Sequence, residues 1–83
     1  MKAVPLGDES GYFDLDTAEE FKAGEGMAGE GTVYRTDKGH FVKYQNGVNL
    51  PMKDQEAFFW LLRNGHQDAA KEYLATLWAQ KLT

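Results

Sequence analysis

The stretch that decides the fold is Asp54–Leu82, DQEAFFWLLRNGHQDAAKEYLATLWAQKL, which holds both tryptophans and the one long apolar run of the chain. Placed on a helical wheel at about 100° per residue, Ala57, Phe58, Leu61 and Leu62 share one face. Phe59 and Trp60 widen that face on either side, and only Glu56 and Arg63 mark a polar strip. A short helix apolar over so wide an arc needs two neighbours. Asn64-Gly65 supplies a helix stop, because a helix commonly ends on a left-handed residue that Gly, and less often Asn, adopts at little cost. The second helix is expected to begin near Gln67, with Asp68 in its first turn and Lys81 in its last, the charge order the helix dipole favours. Ala70, Tyr73, Leu74, Leu77, Trp78 and Leu82 then recur as one buried stripe, with Asp68, Glu72, Thr76 and Ala79 opposite. The loop is short, so the two helices fold back as an αα-hairpin.

Locally, Arg63–Leu74 resembles the turn between the paired helices of an ankyrin repeat, where an Asn-Gly-His step is common. The Thr-Pro-Leu-His opening is missing, and no second copy recurs at a spacing of about 33 residues. The stretch reads as convergent turn chemistry.

Upstream of the hairpin lies the clearest β signal. Thr32–Thr36 and His40–Gln45 flank Asp37-Lys38-Gly39, and Asn46-Gly47 leads into Val48–Leu50, where Pro51 is expected to end the strand. The reading is a three-stranded antiparallel meander. With Thr36 opposite His40, one face carries Val33, Arg35, Phe41, Lys43, Val48 and Leu50, and the other Thr32, Tyr34, Thr36, Val42 and Tyr44. The first face is expected against the Phe58/Trp60 side of the helices. The second leaves Tyr34, Val42 and Tyr44 partly exposed unless the Phe13 segment covers them.

Toward the N-terminus, Lys2–Leu6 is compatible with an edge strand, and Gly11–Asp16 alternates with Phe13 and Leu15 on one side. Asp16…Glu19 and Thr17…Glu20 both have capping-box spacing, which predicts a short acidic helix anchored by Phe21 and ended by Gly24. Residues 24–31, GEGMAGEG, lack the Gly-Lys-Ser/Thr ending of a phosphate loop and carry two glutamates. They read as a linker or partner-contact loop.

The whole is expected to be one α+β domain: a three- or four-stranded antiparallel sheet with a C-terminal helical hairpin on one face and a short acidic helix before it. An arm at 1–30, a meander at 31–52 and the hairpin at 53–83 are its parts. An 83-residue chain buries only about 60% of its unfolded surface or a little more, and with no cysteine it has no disulfide to brace it. Such a chain holds itself by packing or by self-association. It carries no long apolar segment, and a soluble, cytoplasmic protein is expected. Its net charge of −4 is uneven, with eight acids against two lysines in residues 1–30 and seven bases against five acids in residues 31–83.

Chemistry-bearing motifs are sparse. Asp14, Asp16, Glu19 and Glu20 do not fit a calcium loop, since Thr17 and Ala18 break its frame. Ser10, the one serine, has no nucleophile-elbow sequence around it, and His40 and His66 lack a third metal ligand of matched spacing. No cofactor, metal or catalytic residue is expected, and the function expected is non-enzymatic protein binding. An inhibitor or adaptor fits, of the kind that small accessory proteins of mobile elements provide by occupying a partner's surface. The candidate contacts are Asp14, Asp16, Glu19 and Glu20, meeting a basic surface on another protein, together with Tyr34, Val42 and Tyr44. The alternative is single-stranded nucleic acid held by Arg35, Lys38, Phe41 and Lys43, against which the acidic pI weighs. No membrane contact is expected, and a homodimer is allowed.

Overall fold

A computed structural model describes residues 1–24 and 31–81 of the chain. The Gly-rich loop reading falls, for residues 25–30, outside the described residues, as does Leu82. The elements run β1 (Ala3–Pro5), β2 (Tyr12–Asp14), β3 (Glu19–Lys22), β4 (Thr32–Arg35), β5 (Phe41–Gln45), β6 (Val48–Met52), α1 (Asp54–Arg63), α2 (Gln67–Tyr73) and α3 (Ala75–Trp78). The class is α+β. Among the described residues β1 and β2 form one antiparallel pair, and β3, β4, β5 and β6 form an antiparallel sheet in that order.

The meander follows from its turns. Thr36 donates its N–H to His40 O at 2.8 Å, and the Thr36 hydroxyl accepts from His40 N at 3.1 Å, which closes the β4–β5 turn. Asn46 and Gly47 both sit at positive φ, 55° and 80°, the backbone of a two-residue hairpin whose twist matches its strands. Register places Val33 opposite Lys43, Arg35 opposite Phe41, and Lys43 opposite Leu50, so the two faces carry the residues the alternation assigns to them. Pro51 does not end β6 as expected; the strand runs on to Met52, with Pro51 opposite Val42. The carbonyl of Asn49 accepts from Gly7 N and therefore faces away from β5. Two residues on, Pro51 presents its nitrogen on that same open side, where no ladder hydrogen bond is lost.

Two expected helices differ. The acidic helix does not form: Glu19–Lys22 is strand β3, with Phe21 opposite Val33 and Glu19 opposite Arg35. Of the two expected cap residues, Thr17 is used in a turn built one step earlier, around Asp14. Asp14 Oδ1 accepts from Asp16 N at 3.0 Å and from Lys2 N at 3.1 Å, while the Thr17 hydroxyl donates to Asp14 O at 3.3 Å. This is an Asx-type turn that ends β2 ahead of β3. The second helix is also not continuous. Leu74 leaves the helical region at φ −127°, ψ 47°, and its carbonyl then starts a fresh single turn by accepting from Leu77 N and Trp78 N.

The core joins sheet and helices. Phe21, Val33 and Phe41 form one buried cluster with Ala57, Phe58, Trp60, Leu61, Ala70 and Leu74, and Met52, Leu77 and Trp78 pack against it. Leu50 and Val48, expected in that core, stay exposed at the β6 edge. On the other face of the sheet Val42 is only 2% exposed, and the Phe13 ring lies 5.7 Å from that of Tyr34.

Candidate interaction surface

Helix α1 starts after Lys53, whose N–H donates to the Glu56 carboxylate at 3.4 Å, and stops at Asn64 with Gly65 left-handed at φ 81°. Ala57, Phe58, Trp60 and Leu61 go into the core. The remaining arc, Gln55, Glu56, Phe59, Leu62 and Arg63, is open. On the wheel Phe59 stands at the centre of that arc, with Gln55 and Leu62 on one side and Glu56 and Arg63 on the other. Phe59 is 52% exposed and Leu62 37%.

Grooves flank this ridge. Toward α3, Phe58, Phe59, Leu62, Leu77 and Trp78 make an apolar groove with Lys81 at its end. Toward β6, Phe59 shares a second groove with Leu50, Pro51 and Met52, edged by Lys43, Glu56 and Arg63. Among the described residues Lys43, Arg63 and Lys81 make no ion pair, since the two bridges found are Met1 ammonium–Asp16 at 3.7 Å and Lys22–Glu20 at 3.8 Å. The ridge therefore combines exposed apolar surface with uncommitted cations, in a chain that is acidic as a whole.

The acids expected to meet a partner are largely engaged within the chain. Asp14 serves the turn described above, and its hydrogen bond from Lys2 N–H holds its carboxyl below the usual range. Asp16 faces the N-terminal ammonium. Glu20 pairs with Lys22 and accepts from the Tyr34 hydroxyl at 3.4 Å; burial first, then the Glu20 charge, push the Tyr34 phenol up. Glu19 points to the opposite face of β3 from Glu20 and accepts from the Tyr73 hydroxyl at 2.6 Å, a bond that raises the Tyr73 phenol. Val42 is a core residue and offers no contact area. Tyr44, 41% exposed, keeps an accessible ring.

The basic and aromatic residues of the hairpin do not form a stacking row. Phe41 is 2% exposed, and the Arg35 guanidinium lies 4.1 Å above the Tyr73 ring. Lys38 is out in the β4–β5 turn, and Lys43 edges the β6 groove. The Ser10 hydroxyl donates to Asp8 at 2.6 Å within an exposed turn, and this bond lowers the Asp8 carboxyl. No three acidic or histidine side chains gather to hold a metal among the described residues.

Two residues of the inter-helix turn matter more than their sequence context indicates. Asn64 is 3% exposed; its amide nitrogen donates to Trp60 O at 2.9 Å and its amide oxygen accepts from Gly24 N at 3.1 Å. His66 Nε2 lies 2.6 Å from Lys22 O, and because a carbonyl only accepts, that nitrogen carries the proton. Together they tie the helix turn to the end of β3. The α1 ridge itself had a sequence signal, an apolar arc too wide for one neighbour, but nothing in the pattern said which aromatic would be left over. No protein-family model, no curated protein and no solved structure matches this chain.

Proposed function

We propose that this chain is a non-enzymatic protein-binding module, an inhibitor or adaptor that acts by occupying a partner's surface. The observation carrying this reading is the open arc of α1, with Phe59 at its centre and an apolar groove on either side. Aromatic side chains held on a rigid helix make effective anchors, since they offer large contact area and little entropy to lose. The contact passes from the acidic arm to α1, because Lys2, Lys22, Tyr34, Tyr73 and the N-terminal ammonium already occupy the acids.

The test is affinity capture from a lysate of the source cells, followed by titration of the purified partner against variants. Phe59→Ala and Leu62→Ala are each expected to weaken binding about tenfold or more, the size of a modest hot spot. Joint neutralisation of Asp14, Asp16, Glu19 and Glu20 is expected to leave affinity within about threefold. A partner indifferent to both α1 variants and lost with the acids or with Tyr34→Ala and Tyr44→Ala overturns the assignment.

A further inference from the structure

Resting on the reading of α1 as the contact surface, we infer that the ridge binds a second copy of this chain, by two-fold antiparallel packing of α1 on α1. The argument is the order of charges about Phe59. Glu56 lies three residues before it and Arg63 four residues after it, on the same side of the open arc. At a rise of about 1.5 Å per residue these are about 4.5 Å below and about 6 Å above the ring. A two-fold axis across the helix at Phe59 reverses the direction of the second copy while keeping the same side of the arc together. It therefore sets Glu56 of each copy against Arg63 of the other. On the other side of the arc it sets Leu62 against Gln55, and at the centre Phe59 against Phe59. A parallel two-fold exchanges the sides of the arc, so that Glu56 faces Gln55 and Arg63 faces Leu62, and neither charge gains an opposite partner.

The surface suits a weak dimer. Ridges flanked by grooves are the geometry in which helices interlock, and the Phe59 side chain has a groove on both sides to enter. The exposed apolar area is small, and Lys43 on the Glu56 side leaves one cation more than anion per copy there. Such a contact is expected to dissociate in the range of about 0.1–1 mM. Its charge pattern nevertheless gives it a specific signature.

The experiment is sedimentation equilibrium of the purified chain up to about 1 mM at near-physiological salt, where the repulsion between two acidic chains is screened within about 8 Å. The wild type is expected to rise from monomer toward dimer, and Phe59→Glu to stay monomeric. Glu56→Arg alone and Arg63→Glu alone each place like charges across the axis and are expected to weaken dimerisation about tenfold. Mixed one to one, these two variants restore opposite charges at both pairs and are expected to associate as a heterodimer about as well as the wild type. All three variants carry surface changes outside the core, Glu56→Arg also losing the acceptor for Lys53 N–H at the start of α1, and circular dichroism of each checks that the fold is kept. A wild type that remains monomeric overturns the second-copy assignment, and so does a dimer indifferent to Phe59→Glu or a mixture no tighter than its components. The titration with a captured partner stands apart from these outcomes: loss of that partner in Phe59→Ala with a monomeric wild type retains the α1 surface and removes only its self-pairing.

Discussion

The imidazole of His66 lies parallel to the indole of Trp60, with ring centroids 5.9 Å apart and 6° between the planes. The same imidazole meets Phe21 edge-on at 5.3 Å and donates to Lys22 O. One turn residue thus joins α1 to the edge strand β3, which among the described residues has only β4 as its sheet neighbour. His66→Ala is expected to cost about 1–3 kcal/mol, the sum of a net hydrogen bond and aromatic packing. The check is the urea midpoint, with amide exchange at β3 rising more than at β5. A uniform rise would place His66 outside the anchoring of that strand.

Within α1, neighbouring positions should separate cleanly. Leu61 is fully buried and Trp60 is 2% exposed, whereas Phe59, on the open arc, is 52% exposed. Leu61→Ala is expected to cost about 2–5 kcal/mol and Trp60→Ala about 3–5, because each removes volume from a small core. Phe59→Ala should cost under about 1 kcal/mol. Denaturant midpoints measure all three, and a Phe59 variant as damaging as the other two would mean that its ring is packed and not a contact ridge.

Acid stability should carry the mark of Asp14. Its pKa is lowered from 3.8 in the folded chain by the hydrogen bonds from Lys2 and Asp16 N–H and by the N-terminal charge. A depressed carboxylate contributes stability above its unfolded pKa and loses it as pH falls through the lower folded value. Asp14→Asn keeps an acceptor oxygen in the turn but no longer titrates. Its stability curve is therefore expected to lose less than the wild type does as the pH drops below about 4. Urea midpoints from pH 7 to pH 2 decide it, and parallel curves would remove Asp14 from the acid transition. Tyr73 gives the opposite sign at the alkaline end. Its phenol, raised by the hydrogen bond to Glu19, contributes below its ordinary pKa and loses that contribution as pH rises through the folded value; Tyr73→Phe should flatten that limb.

Local chemistry made the meander and the helix stop legible. Asn46-Gly47 has essentially one good hairpin backbone, and once Thr36 is set against His40 the period of two assigns every residue from Thr32 to Leu50 to a face. Asn64-Gly65 ends α1 for the same kind of reason. The errors lie where a short segment's state is set by a neighbour that sequence does not show. Thr17 and Glu20 have the spacing of a helix cap, yet Glu19–Lys22 is held by β4, whose Val33 meets Phe21 across the sheet. The break at Leu74 has no Gly or Pro to announce it. The contact surface was hidden for a related reason: a wheel shows that α1 is apolar over an arc wider than one neighbour can cover, but only the placement of the sheet and of α3 decides that Phe59 is the residue left outside. Val42 shows the converse, since an alternating strand predicts a half-exposed position and the Phe13 hairpin buries its side of the sheet.

Two glycines with nearly the same backbone should respond differently to alanine. Gly31 and Gly65 sit at φ 89° and 81°, where any residue with a Cβ is strained by about 1–2 kcal/mol. At Gly65 a Cβ would meet nothing within 4 Å, so Gly65→Ala should cost only that strain, about 1 kcal/mol. At Gly31 the Cβ would press into the carbonyl oxygen of Tyr44, a backbone atom that cannot swing aside without moving the start of the β4–β5 ladder. Gly31→Ala is therefore expected to cost about 2–4 kcal/mol, strain and steric displacement together. The damage should be local as well as larger, with amide exchange accelerated at the Thr32–Tyr44 end of β4–β5 and unchanged at the Thr36–His40 turn. Equal urea midpoints for the two alanine variants would show that the β4 entry yields freely, and would remove Gly31 as a close-approach position.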